Sequence, residues 1–454
     1  MLIEFSVTNF LSFKDKNTFS MVASSDKELL NNVMEVGGER LLRTTALYGA
    51  NASGKTNLFK IIAIVGSIIK GSNYRTPNMA MPISPFKLSE DTSDKPSEFE
   101  IKFIYDGIRY VYAFSADNLY VYEESLYYYP NGRPTKIFER KNTNEYSFNA
   151  SDERILNDIK SKNSANKFFV ATATNWNYDK TKPAFDFLTE KLGVIMSYEQ
   201  VNNYSYNMYS KDKDNKLRDF ALGFLKKADF NIDDYKVTEE KMTEDILNSV
   251  PDLKSIIPLN TPLFRVSTVH EIHGHKYEFD ISEESLGTQV IFSFIPVLKD
   301  VLDNGKVLIY DEFDKSLHPF IVKYLVAIFN NPEVNKNGAQ LIFNTHDTNL
   351  LNLEILRRDQ IWFAEKNDET CATEFYSLAS FSPRKGENVR KGYLQGRFGA
   401  IPFIGGDAWW ARCEKSMIRT KLSGGSVNRL FISSAKEKKQ RHFISNIFVH
   451  ETAW

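Results

Sequence analysis

The sequence predicts an α/β fold with a mixed central sheet, and three observations carry that prediction. A glycine-rich turn, Gly49-Ala50-Asn51-Ala52-Ser53-Gly54-Lys55-Thr56, links a short apolar stretch before it to a long apolar stretch after it. Two late apolar runs, 307–310 and 340–344, each end in polar residues, as parallel strands buried on both faces do. Between these parts, residues 97–140 alternate apolar and polar with good turn chemistry at their joints, which reads as an antiparallel β-meander.

Residues 2–22 read as paired strands, with Ile3, Phe5 and Val7 on one face and a turn around 9–13. Phe10 and Phe13 in that turn suit either an aromatic stack on a base or a place in the core. The stretch 45–48 is strand-like, and 57–65 is long and apolar enough for a buried helix. In the meander, Phe99, Ile101 and Phe103 alternate, then Tyr110, Tyr112 and Phe114. Their tyrosines are read as strand residues before they are read as a base-stacking platform.

Residues 150–260 read as mostly helical, for example 152–161 and 214–228, with polar loops such as 202–215. No sustained heptad runs through them. Strands return over 263–281 with a turn at His273-Gly274. His270, His273 and His275 lie close in sequence, but strand alternation splits them between two faces and argues against a metal site. The working division is 1–149, a helical insertion at 150–260, a second half at 261–405, and a basic tail at 406–454. Between Arg412 and Arg441 that tail carries nine lysines and arginines against Glu414 and Glu437. It suits a solvated helical face, with nucleic acid or an acidic partner as the alternative.

Composition narrows the class. The 454 residues are 42% hydrophobic and 25% charged with a net charge of −1, so nothing global draws the chain to nucleic acid or membrane. Cys371 and Cys413 are too few for a disulfide framework. No apolar run reaches the ~20 residues of a membrane helix. The expectation is a cytoplasmic protein with no membrane partner.

The chemistry concentrates at strand ends. A strand, a small-residue loop and a helix start aim backbone N–H groups at one anion, on the positive end of the helix dipole. Gly49, Asn51, Ala52, Ser53, Gly54, Lys55, Thr56 and Asn57 are the expected cradle, with Lys55 on the β/γ-phosphates and Thr56 on Mg²⁺. Asp311, at the end of 307–310, is the expected second Mg²⁺ ligand, and Glu312 the base that activates water. His346, after 340–344, suits a γ-phosphate sensor. Together these name ATP and Mg²⁺ as the ligands.

This set resembles the ABC-type P-loop ATPase heads, the class of the SMC, Rad50 and OLD-like AAA ATPases, over nearly all of 1–405. The loop 49–56 is similar to Walker A, 307–312 to Walker B, 314–319 to the D-loop and His346 to the switch histidine. Residues 282–289 resemble the signature motif, which implies that Ser285, Gly287 and Thr288 meet the γ-phosphate held by a second copy. The resemblance thus implies a homodimer with composite ATP sites, open to higher assembly. One departure stands out: the class has a glutamine between Walker A and the signature, but no Gln precedes Gln200, and 81–88 occupies the expected place.

The segments 84–88, 357–363 and 391–403 resemble the abortive-infection, OLD-like branch. No nuclease carboxylate set follows them, so that branch implies an effector on another chain. The ATPases of the PARIS phage-defence systems, with a separate Toprim nuclease and a phage-encoded trigger protein, are the pattern it most resembles. The Septu systems, with an HNH nuclease, are its neighbour. The competing expectation is a DNA-repair ATPase of the RecF or Rad50 kind acting on DNA; a scaffold that binds ATP without hydrolysis is the third.

Overall fold

A computed structural model describes residues 1–241, 261–384 and 386–402. In chain order its first elements are strands β1 (Leu2–Thr8), β2 (Asn17–Ser20), β3 (Val33–Val36), β4 (Glu39–Leu42) and β5 (Thr44–Gly49), then helix α1 (Lys55–Lys70). The meander follows as β6 (Ser97–Tyr105), β7 (Ile108–Ala116), β8 (Val121–Tyr129), β9 (Thr135–Lys141) and β10 (Glu145–Phe148). Next come α2 (Glu153–Lys160), α3 (Phe169–Asn175), α4 (Lys182–Asp186), β11 (Leu192–Ile195), α5 (Asn202–Ser210) and α6 (Lys216–Lys227). The remainder runs β12 (Asp234–Lys241), β13 (Pro262–Ile272), β14 (His275–Asp280), α7 (Leu286–Asn304), β15 (Val307–Tyr310), α8 (Pro319–Asn330), β16 (Gln340–Asn344), β17 (Ile361–Lys366), β18 (Thr373–Ser377) and α9 (Val389–Leu394).

Two large sheets organise these elements. The first is antiparallel, in the order β10-β9-β8-β7-β6-β1-β2, so the N-terminal pair extends the meander into one seven-stranded sheet. The second is mixed, in the order β11-β15-β16-β5-β17-β18, and is parallel except for β18. Strands β5, β15 and β16 are buried along their whole length, which accounts for their unbroken apolar runs. A core between the sheets takes Phe59, Ile62 and Val65 of α1, together with Phe5, Phe103 and Ile342. A second core on the other face of the parallel sheet takes α7 and α8 through Ile295, Leu298, Leu325 and Phe329. Each such side chain stabilises the fold by about 1.5–3 kcal/mol relative to exposure.

Three readings change inside the range expected to be mostly helical, the first being that residues 234–241 form β12, antiparallel to β13. Residues 192–195 form β11, the edge strand paired parallel to β15 through Val194 and Ile309. The expected polar loop at 202–215 contains helix α5. Its polar side chains are spent on α7: Ser205 Oγ donates to the Ser293 carbonyl at 2.5 Å and Tyr209 OH to the Phe292 carbonyl at 3.0 Å. Phe10 and Phe13 are fully buried, Phe10 edge-on to Phe99 and Phe13 against Phe375, so both are core residues. The basic stretch 412–441 lies outside the described residues.

Candidate nucleotide-binding site

The carboxyl ends of the parallel strands bring the predicted groups to one edge. Strand β5 ends at Gly49 and α1 begins at Lys55, so the connecting loop must turn sharply. Ala52 and Gly54 do this with φ of 64° and 104°. Gly54 is also pinned: a Cβ there would lie 2.1 Å from Thr373 Oγ1. Ser53 is buried, and its hydroxyl has no hydrogen-bond partner among the described residues. Lys55 bends back so that Nζ donates to the carbonyls of Gly49 at 2.8 Å and Ala50 at 3.0 Å. Burial pulls its pKa down, while Asp311, Glu312 and Asp314 push the other way. A desolvated ammonium and an orphaned buried hydroxyl in a small-residue cradle are what a phosphate would satisfy.

Across the edge, Thr56 Oγ1 donates to Asp311 Oδ1 at 3.1 Å. Asn344 Nδ2 donates to the same oxygen, and Asn344 Oδ1 accepts the Glu312 N–H. Burial raises the Asp311 carboxyl above its ordinary range; the bonds from Asn344 and Thr56 oppose that, and Glu312 adds to it. Thr56 and Asp311 offer a hydroxyl and a carboxylate oxygen in contact, hard donors that fit Mg²⁺.

Glu312 takes a left-handed backbone, φ 51°, and projects into solvent, where its carboxylate lies 3.1 Å from Lys315 Nζ. His346 is exposed, and its N–H donates to Asp314 Oδ2 at 3.3 Å. Asn344 is the residue that sequence reasoning missed. A buried amide closing an apolar strand was the available signal.

Other predicted residues lie elsewhere or face elsewhere. Asn57 turns toward the N-terminal turn, its Nδ2 donating to Ser12 Oγ at 2.8 Å. Thr373 Oγ1 bonds Ser12 Oγ and the Ser53 carbonyl, so Ser12, Asn57 and Thr373 brace the loop from outside. Ser285 caps α7 by accepting the Thr288 N–H, and the two hydroxyls lie 2.8 Å apart. Thr288 is therefore buried in the cap, whereas Ser285 stays exposed. Gly287 packs so tightly that a Cβ would sit 2.8 Å from the Ser316 carbonyl. No hydrogen bond or ion pair among the described residues joins 285–288 to 49–56.

The stretch 81–88 packs on the N-terminal turn, Ser84 accepting from the Leu11 N–H and Phe86 N–H donating to Asn9. The chain that reaches the Asp311 edge is β11, whose Ile195 carbonyl accepts the Asp311 N–H at 2.8 Å. The segment leaving β11 holds Gln200, but its amide oxygen accepts from Met196 N–H. His270 meets Glu284 at 2.7 Å rather than another histidine, and no cluster of three or more His, Cys, Asp or Glu side chains that could hold a metal occurs among the described residues.

Residues 44–352 match the family model described as "AAA domain, putative AbiEii toxin, Type IV TA system". The chain belongs to this family. In its fold the seven-stranded antiparallel sheet packs on the mixed sheet whose strand ends carry residues 49–56 and Asp311. No curated protein matches the chain. Among solved structures, it is similar to the SMC head domain from Thermotoga maritima, at 14% identity and a TM-score of 0.39, over 83% of this chain and 98% of that one. It is also similar to an SMC head crystallised with the C-winged helix domain of ScpA, at 13% identity and a TM-score of 0.38, over 84% and 99%. No helix among the described residues is long and apolar enough to cross a membrane.

Proposed function

We propose that this protein is an ATP-binding and hydrolysing regulatory subunit of a cytoplasmic anti-phage defence complex. The observation that supports the ATPase reading best is the cluster of Thr56, Asp311, Asn344 and Glu312 beside the Ser53–Lys55 cradle. The defence role rests on the resemblance of the segments 84–88, 357–363 and 391–403 to the abortive-infection branch.

Lys55 exchanges its two carbonyl contacts for the β/γ-phosphates. Thr56 and Asp311 hold Mg²⁺, which neutralises phosphate charge when bound. Glu312 accepts the proton of the attacking water, and His346 donates toward the γ-phosphate. Ser285 and the Gly287 backbone complete the site of a second copy; Thr288 contributes by shaping the cap. The homodimer so formed, or a larger ring built from it, restrains a separate nuclease, of Toprim type in PARIS fashion or of HNH type, until a phage trigger arrives.

The test is a pull-down of the tagged parent, Lys55→Ala and Glu312→Gln from cells carrying the neighbouring genes, with ATP turnover measured on each. A nuclease-sized partner retained by the parent and Glu312→Gln but lost from Lys55→Ala supports the reading. Recovery with DNA alone transfers the weight to the DNA-repair alternative. Equal turnover in all three would remove the nucleotide from the function.

A further inference from the structure

The loop after Glu312 holds a charge arrangement that the proposed hydrolytic cycle does not use. The Glu312 N–H is tied to Asn344, and its backbone takes a left-handed conformation. Lys315 holds its side chain by an ion pair of 3.1 Å. The same loop curls so that the Lys315 N–H donates to the Glu312 carbonyl at 2.9 Å.

A second carboxylate stands on the neighbouring segment, which the Asp311 N–H ties to this loop through the Ile195 carbonyl at 2.8 Å. Glu199 is exposed in the segment leaving β11, the strand beside β15. It acts on Lys315 in the same sense as Glu312, both favouring the charged ammonium, with Glu312 the stronger. The next residue, Ser316, has φ of 65° and a carbonyl pressed against Gly287 at the start of α7. Motion at Ser285–Gly287 is therefore felt one residue from Lys315.

We propose that Lys315 is a positioning residue that holds the Glu312 carboxylate off the attacking water, and that site closure moves it to Glu199 and frees the base. This rests on the ATPase reading above. The Lys315–Glu312 pair is largely exposed, so it biases side-chain placement by a modest factor and remains switchable. Glu199 gives the displaced ammonium a partner, so that closure does not have to strand it.

The experiment is steady-state ATP hydrolysis by the full chain. A parent whose turnover is lost in Glu312→Gln secures the ATPase reading independently. Lys315→Met then raises kcat about two- to fivefold, the range an exposed ion pair can move a two-state equilibrium, with KM for ATP unchanged. Lys315→Arg, which keeps the charge, returns kcat toward the parent. Glu199→Gln lowers kcat by a similar factor, and this effect vanishes in the Lys315→Met background. A Lys315→Met variant that hydrolyses ATP no faster than the parent overturns the proposal. So does a Glu199→Gln effect that persists without the lysine. Both side chains are exposed, so loss of folding does not confuse the result.

Discussion

Asn344→Ala tests the architecture of the site. The side chain is buried at 2% exposure, donating to Asp311 and accepting from the Glu312 N–H. Its removal deprives a buried carboxylate of a hydrogen bond, at about 1.5–3 kcal/mol, and orphans an N–H, at about 1–3 kcal/mol. The expected loss of stability is roughly 3–5 kcal/mol. A pH signature accompanies it. Asp311 is already held above its ordinary value, so the folded chain binds more protons there than the unfolded one. Stability then falls as pH rises from the ordinary aspartate value through the raised one. Without Asn344 one opposing bond is lost, the folded value climbs, and the fall extends to higher pH. Urea unfolding of parent and variant at mildly acidic and neutral pH measures both effects. A loss below about 1 kcal/mol, equal at the two pH values, would refute the bridging role.

Three further outcomes follow from other contacts. Glu312→Gln retains ATP affinity but loses at least about a hundredfold in turnover, the low end of what general-base catalysis contributes; single-turnover hydrolysis checks it. Gly54→Ala forces a methyl into Thr373 at a φ of 104°, so equilibrium titration with a fluorescent ATP analogue should show binding abolished. In that test, Thr373→Ala added to Gly54→Ala removes the two nearest atoms but leaves Thr373 Cβ 2.9 Å away and the backbone strain in place, and restores only part of the affinity. Arg140→Met leaves Glu124 fully buried without its cation 3.7 Å away and costs about 3–5 kcal/mol in denaturant unfolding.

The parts of the site legible in sequence are those whose chemistry is local. The loop 49–56 carries its glycines, lysine and threonine in one window, and Asp311 and Glu312 directly follow their strand. What stayed hidden depends on distant pairing. Nothing near Ser12 announces that it will meet Thr373, 361 residues away. Strand β11 is four residues long and lies among helices, so no window around it shows a sheet. Helix α5 looked like a loop because its serine and tyrosines are polar; they hydrogen-bond to the backbone of α7, which no local pattern reveals. The aromatic turn at 9–13 posed the opposite problem: its rings suited a ligand as well as a core, and only the packing of Phe10 and Phe13 decided it.

The position of β5 has a consequence for how the protein is made. This strand lies between β16 and β17, and both are translated roughly 300 residues after it. At about 5–20 residues per second, the ribosome leaves β5 without either hydrogen-bonding neighbour for roughly 15–60 s. The brace from Thr373 to Ser53 arrives later still. The nascent chain thus carries residues 49–56 long before the strands that flank β5 exist, and the loop gains its brace only once Thr373 has been made.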